Sequence, residues 1–157
     1  AIAAAINKFT LNPGPVSNFS ESVLDVSKQL AKQRHERPVI VALALPSGGD
    51  VGGGSFDETL TWLRQSGAQL YAVTLTQSSG GNEQMLEEAA KQSGGRRVEV
   101  GGTAAIPGAL QQVADALAAQ YAVTYTLPDG VKLDKRVNVS VTRKGVTLRA
   151  PTAIPDK

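Results

Sequence analysis

Residues 38–55 read PVIVALALPSGGDVGGGS, and this stretch decides the fold. Its first part, Pro38 to Leu45, has no polar side chain, and such a run predicts a strand buried on both faces, as in the centre of a parallel sheet. The glycine-rich part, Pro46 to Ser55, predicts a loop at the carboxyl end of that strand. Because ligand sites of open α/β sheets lie at this edge, we expect any site in the sheet near Pro46 to Ser55.

Helical patterns lie on both sides of this strand. The first helix is predicted from about Ser17, with one apolar face formed by Phe19, Val23, Val26 and Leu30. After the glycine loop, Ser55 and Glu58 have the spacing of a capping box, which predicts the start of a second helix. Gly67 suits the position just past its end.

Two further strands and two further helices follow. Residues 70–75 predict a second buried strand, and residues 97–100 a short edge strand that alternates polar and apolar side chains. A short helix lies between them. Pro107 suits the first turn of a last helix, whose predicted apolar face consists of Ile106, Leu110, Val113 and Leu117.

The order of these elements predicts the fold class. Up to Gln120 the chain alternates helix and strand, which predicts an α/β fold: a Rossmann-like, doubly wound parallel sheet of three strands with helices on both faces. The first strand has no earlier strand to pair with, and an unpaired apolar edge must be covered. We therefore expect either that the N-terminal half of the domain is missing or that the chain borrows a strand from a neighbour.

The hydrophobic period changes to two after Gln120. Alternation from Tyr121 to Ala150 is interrupted by turn sequences at Pro128-Asp129-Gly130 and Arg143-Lys144-Gly145, which predicts antiparallel hairpins. The predicted organisation is an α/β domain over residues 1–120, a small antiparallel β unit over 121–150 and a tail over 151–157.

Composition excludes several classes of protein. The net charge of +2 is too small and too scattered to indicate nucleic acid or an anionic membrane as a partner. The absence of cysteine excludes disulfides and thiolate chemistry, and zinc could be held only by the single His35 with carboxylates. No apolar run approaches the roughly 20 residues that a transmembrane helix needs.

The segments RPVIVALALPSGGDVGGGSFDETLTWLRQSGAQLYAVTL (37–75), LEEAAKQSGGRRVEV (86–100) and ALQQVADALAAQYAVTY (109–125) together resemble the second half of a von Willebrand factor type A domain. The continuation QYAVTYTLPDGVKLDKRVNVSVTRKGVTLRAP (120–151) is similar to the tail of the bacterial VWFA-related proteins found widely in Acidobacteria. This resemblance covers about residues 17–151 and implies a secreted or cell-envelope protein that binds proteins, as an adhesion module.

The resemblance also implies a metal-ion-dependent adhesion site, which needs several anionic oxygen ligands for a hard cation such as magnesium. The family's Asp-x-Ser-x-Ser segment is absent here, its Thr-Asp-Gly aspartate falls near Leu45-Pro46-Ser47, and its threonine falls near Ser17 or Asn18. Only Asp50 could supply a carboxylate nearby. We therefore expect a degenerate site without metal or other cofactor, in which Ser17, Ser47 and Asp50 are the weak candidate ligands.

For several other residues a functional role is conceivable, but an ordinary structural role explains each of them better. The Gly48–Gly54 loop could bind a nucleotide or phosphate at a helix N-terminus, but it lacks the Gly-Lys-Ser/Thr ending of a P-loop. His35 is expected to be an exposed surface residue, and Asp57 with Glu58 is explained by capping. Trp62 is expected to be partly buried.

We therefore expect a non-enzymatic interaction module with no catalytic residue. The side chains expected to bind a protein partner lie in the two loops at the carboxyl ends of the strands: Pro46, Ser47, Asp50, Ser55, Gln77 and Asn82. An alternative is a structural subunit that completes its sheet with another chain, as an oligomer or filament. A nucleotide or phosphate binder ranks third.

Overall fold

The computed structural model describes residues 19–33, 35–44, 55–76, 83–124, 126–132 and 134–154. Four helices and three strands alternate along these residues. Their bounds are α1 Phe19–Gln33, β1 Val39–Ala44, α2 Phe56–Ser66, β2 Gln69–Leu75, α3 Glu83–Gln92, β3 Arg96–Val100 and α4 Ile106–Ala118, with a short 3₁₀ turn at Thr103–Ala105 before α4. The predicted α/β class is confirmed.

The three strands form one parallel sheet in the order β1-β2-β3. Val39 is in register with Gln69 across the first pair, and Tyr71 with Arg96 across the second. The prediction that Val39 to Leu45 forms a central strand buried on both faces is wrong, because β1 lies at one edge of the described sheet and its side chains alternate in exposure. β2 is the central strand, and its residues from Leu70 to Leu75 are buried.

Helices cover the two faces of the sheet unequally. On one face α1, α2 and α3 pack side by side, and their apolar side chains meet those of β1 and β2 in a core that contains Val23, Ile40, Leu60, Leu63, Ala68, Leu70 and Ala89. On the other face α4 packs against β2 and β3, in a core that contains Tyr71, Val73, Leu75, Val98, Val100, Ala109 and Val113. Three helices therefore cover the first face and one covers the second, so part of the second face is left uncovered.

The structure corrects the sequence-based expectations at three residues, Ser55, Val26 and Leu110, and confirms the one at Gly67. Ser55 stands at the N-cap of α2 with extended backbone, but its side chain makes no capping hydrogen bond, so the predicted capping box is not formed. Val26 and Leu110, both expected on buried helix faces, are 40% exposed. Gly67 ends α2 in the left-handed conformation (φ 66°), as predicted.

The segment after α4 is extended and exposed. Both predicted turns contain a glycine with positive φ, Gly130 at 82° and Gly145 at 77°, and the amide of Val131 donates to the carbonyl of Pro128. The described residues between 121 and 154 form no strand, and their one bridge joins Arg136 to Ala153 in antiparallel sense. The antiparallel β unit remains a prediction. Among the described helices, none is long and apolar enough to cross a membrane.

Candidate protein-interaction edge

The two edges of the sheet differ in charge. β1 reads VIVALA and has no charged or polar side chain, whereas β3 reads RRVEV and carries three charges. Charged side chains on an edge strand oppose pairing with another chain, while a flat apolar edge is a template for it. Within the residues that the structure describes, no strand pairs with the outer side of β1.

The charges of β3 are held in place by neighbouring polar groups. The Arg97 Nε donates to Thr74 Oγ1 at 3.0 Å, and its Nη2 lies 3.3 Å from Glu99 Oε2. On the same strand, Arg96 Nη2 donates to Gln112 Oε1 of α4 at 3.1 Å. The β3 edge is therefore both charged and engaged with the body of the protein.

Two apolar side chains of β1, Val41 and Leu43, are left open because α4, on the same face of the sheet, packs on β2 and β3. The contact between Arg96 and Gln112 sets one flank of α4 over β3, and Leu110 lies on the opposite flank by the helical period. Val41 and Leu43, on the same face, are 48% and 45% exposed, and Leu110 is 40% exposed. We call Val41 and Leu43 the β1 apolar patch.

The other face of β1 lies beneath α1. Helices pack about 8–10 Å apart and strands about 4.8 Å apart, so a layer of three helices is wider than a layer of three strands. In this layer α1 contacts β1, whereas α3 contacts both β2 and β3. One more strand beside β1 would therefore lie next to α1.

A polar cluster closes the amino ends of β1 and β2. Gln120, just past α4, accepts a hydrogen bond from Arg37 Nη2 at 2.7 Å and donates to the side chain of Gln69 and, at 3.3 Å, to the hydroxyl of Tyr71. These bonds fix the end of α4 to the start of the sheet. The segment beginning at Tyr121, whose side chain is 93% exposed, leaves from this end.

Most of the sequence-predicted site residues lie outside the described residues: Ser17, Pro46, Ser47, Asp50, Gln77 and Asn82. Ser55 is described and exposed. Within the described part of the chain, no group of three or more histidine and acidic side chains could hold a metal ion. The expected binding loops, the weak metal ligands and the Gly48–Gly54 loop therefore stay predictions.

The other residues that the sequence analysis discussed, His35, Glu58 and Trp62, lie at or near the surface and make side-chain contacts there. His35 is exposed, as predicted, and its Nε2 lies 2.8 Å from Gln33 Oε1. Glu58 in the first turn of α2 pairs with Lys28 of α1 at 3.0 Å, and the Lys28 Nζ stands 5.7 Å from the ring centroid of the partly buried Trp62. These contacts link α1 to α2 and bring no catalytic group together.

Sequence reasoning missed Val41 and Leu43 as candidate functional residues. Both belong to an uninterrupted apolar run, and nothing in that run distinguishes a covered valine from an open one. The strand count had already indicated an unpaired first strand, because no earlier strand is present to pair with it, but it did not identify which of its side chains are open.

Comparison with protein-family models finds no match, and comparison with curated proteins finds none either. Among solved structures, the chain is similar to one described as an uncharacterized membrane spanning protein from Vibrio fischeri, with 16% sequence identity and a TM-score of 0.44. That similarity covers 74% of this chain and 64% of the other.

Proposed function

We propose that this protein is a non-enzymatic interaction module that accepts an extended segment of a protein partner along the outer edge of β1, as an added strand of its sheet. Strand addition supplies main-chain hydrogen bonds for affinity and side-chain contacts for selectivity. The observation that carries the proposal is the contrast between the uncharged, half-exposed edge at β1 and the charged edge at β3.

The surroundings of β1 support the same function. An added strand would cover Val41 and Leu43 on one side and would lie beside α1 on the other. Contiguous exposed apolar surface is a feature of protein interaction sites, and Val41 and Leu43 are two exposed apolar side chains of one edge strand. The resemblance to von Willebrand factor type A domains supports the same class of function and implies a secreted or envelope location in a bacterium.

The test uses a labelled seven-residue peptide, Thr-Val-Thr-Val-Thr-Val-Thr, as a generic strand, with binding measured by fluorescence anisotropy. The wild-type chain is expected to bind it saturably. Val41→Lys places a charge on the edge and is expected to weaken binding by about tenfold or more, because charges on edge strands oppose pairing. Thr61→Lys adds the same charge on the exposed side of α2, away from the edge, and is the matched control.

Equal binding by the wild type and both variants would contradict the proposal, since the peptide would then bind elsewhere. Absence of binding to the wild-type chain would contradict it as well. Circular dichroism spectra of the three proteins establish that the substitutions leave the helices intact. Val41 is half exposed, so its replacement is expected to leave the fold unchanged.

A further inference from the structure

The extended segment after α4 contains a stretch outside any described strand that matches the β1 edge in length and charge. Residues 137–142 read VNVSVT, six residues without a charged side chain, and β1 also has six. With the turn at residues 143–145 and the return to residue 150, these residues form what we call the tail loop, 137–150. Four of its apolar side chains are exposed: Val139 by 50%, Val141 by 44%, Val146 by 45% and Leu148 by 44%.

The base of the tail loop is tied to the β3 side of the molecule. The amide of Val137 donates to the carbonyl of Thr152 at 2.9 Å, and the amide and hydroxyl of Thr152 donate to the carbonyl of Gln92 at 3.0 and 3.2 Å. Gln92 ends α3, which packs on β3. The loop is therefore held beside β3, which is itself about 10 Å, or two strand positions, from the β1 of the same chain.

Charge opposes pairing of the tail loop with the strand beside it. The tail loop carries Arg143, Lys144 and Arg149 and no acidic residue. Arg149 lines one groove with Lys91, Arg96 and Arg97, where Glu87 is the acidic side chain. Arg149 therefore lies in a mainly basic groove, and like charges across neighbouring strands are destabilising, whereas β1 carries no charge.

We propose that the tail loop of one copy of this chain adds as a strand to the β1 edge of a second copy, which names the partner in the function proposed above and rests on that function. Val139 and Val141 would then lie beside Val41 and Leu43 of the second copy, and cross-strand apolar pairs of this kind stabilise sheets. Since the donor loop and the acceptor edge lie at opposite ends of the sheet, the contact is head-to-tail. Such contacts build rings or filaments.

A symmetric pairing of two β1 strands is disfavoured by the helices. In an antiparallel pair of identical strands, the two α1 helices would lie on the same face, each over a β1 strand or beyond it. The two β1 strands would be about 4.8 Å apart, whereas packed helices need about 8–10 Å between their axes. The tail loop carries no helix of its own and meets no such conflict.

The test mixes two variants of the full chain that are each blocked at one half of the contact. Val41→Lys leaves the donor loop but blocks the edge, and the double variant Val139→Lys with Val141→Lys leaves the edge but blocks the loop. We expect wild-type assemblies whose mass by light scattering rises with concentration, and two blocked variants that assemble only at concentrations about tenfold higher or more. A one-to-one mixture is expected to form a complex that stops at two chains.

Two matched controls accompany the mixture. Asn138→Lys with Ser140→Lys adds the same two charges to the polar side of the tail loop, and Thr61→Lys adds one charge on α2. Both are expected to assemble as the wild type does. Assembly lost equally in these controls would overturn the proposal, because general charge rather than the two apolar surfaces would then govern association.

Other outcomes separate this inference from the function on which it rests. A wild-type chain that stays monomeric while its β1 edge still binds the threonine-valine peptide overturns the tail-loop partner and leaves strand addition standing. A monomer that binds no peptide overturns both. A Val41→Lys variant that stays monomeric, together with a loop-blocked variant that still dimerises, would show symmetric pairing of β1 and would overturn the tail-loop assignment.

Discussion

Val41 and Tyr71 are partners in register across β1 and β2, yet Val41 is 48% exposed and Tyr71 is 3% exposed. The two side chains lie on the same face of the sheet, and a single strand spacing separates them. The difference arises because α4 packs on β2 and β3, and of β1 only Val39 joins the core on that face. The uncovered side chains of β1 are the basis of the proposed interaction edge.

The first prediction compares truncation of two valines on this face. Val73 of β2 is fully buried, so Val73→Ala should lower the free energy of unfolding by about 1.5–3 kcal/mol. Val41→Ala, at a half-exposed position, should lower it by less than about 1 kcal/mol in the monomer. Urea denaturation in dilute solution measures both. Equal losses would show that Val41 is already covered.

The second prediction concerns Gly95, between α3 and β3, whose backbone closely approaches that of Leu70 in β2. A Cβ added there would lie 1.9 Å from the carbonyl oxygen of Leu70, a backbone atom that cannot move aside alone. Gly95→Ala should therefore destabilise the chain by about 1–3 kcal/mol or more. Gly101→Ala is the control, since nothing lies within 4 Å of its added Cβ. Similar melting temperatures for the two variants would contradict this packing.

The third prediction tests the buried hydroxyl of Ser93. Its Oγ accepts a hydrogen bond from the amide of Leu70 at 2.9 Å and donates one to the carbonyl of Ala90 at 3.0 Å. Ser93→Ala leaves the buried Leu70 amide without this partner and should cost about 1–3 kcal/mol of unfolding free energy. Ser140→Ala, at an exposed position, should change it little. A Ser93→Ala chain as stable as the wild type would refute the role of this bond.

The fourth prediction concerns the ion pair between α1 and α2. Lys28 and Glu58 lie 3.0 Å apart, with side chains 33% and 47% exposed. Exposed ion pairs contribute about 0–1 kcal/mol, so Glu58→Gln should lower the melting temperature by a few degrees at most, and added salt should narrow the difference. A loss that persists undiminished in high salt would mean that packing, rather than charge, holds Lys28 against Trp62.

The fifth prediction concerns metal. The resemblance to von Willebrand factor type A domains implies a degenerate adhesion site, because the sequence lacks the carboxylates that a hard cation needs there. Magnesium or manganese, added after treatment with a chelator, should therefore leave the melting temperature unchanged. A rise that saturates with metal concentration would indicate an intact site, and an Asp50→Asn variant would then show whether Asp50 is a ligand.

The fold was largely predictable from the sequence because the helical and strand periods are strong and the glycines stand at element ends. Gly67 is an example: it directly follows the apolar face of α2, where a glycine indicates the end of a helix. The exposure of Val41 could not be predicted in the same way. An apolar run shows that the side chains of a strand can be buried. Whether they are buried depends on the helices and strands that pack on that strand, and these lie elsewhere in the chain.

The candidate site was less predictable for a related reason. The sequence-based expectation placed binding in the loops after β1 and β2, because polar and glycine residues at the carboxyl ends of strands are typical of sites. The edge of β1 has no such residues. The β1 edge is a candidate site because of the strand order and the position of α4, and both are known only once the sheet is assembled.

The measurement that tests the central claim most directly is amide hydrogen exchange in β1, followed with and without a saturating amount of the threonine-valine peptide. The account predicts that amides of Val39 to Ala44 that point away from β2 exchange rapidly in the dilute chain and become protected when the peptide binds. The amides at the outer edge of β3 should not change. Protection gained at β3 instead, or none gained at β1, would contradict the account.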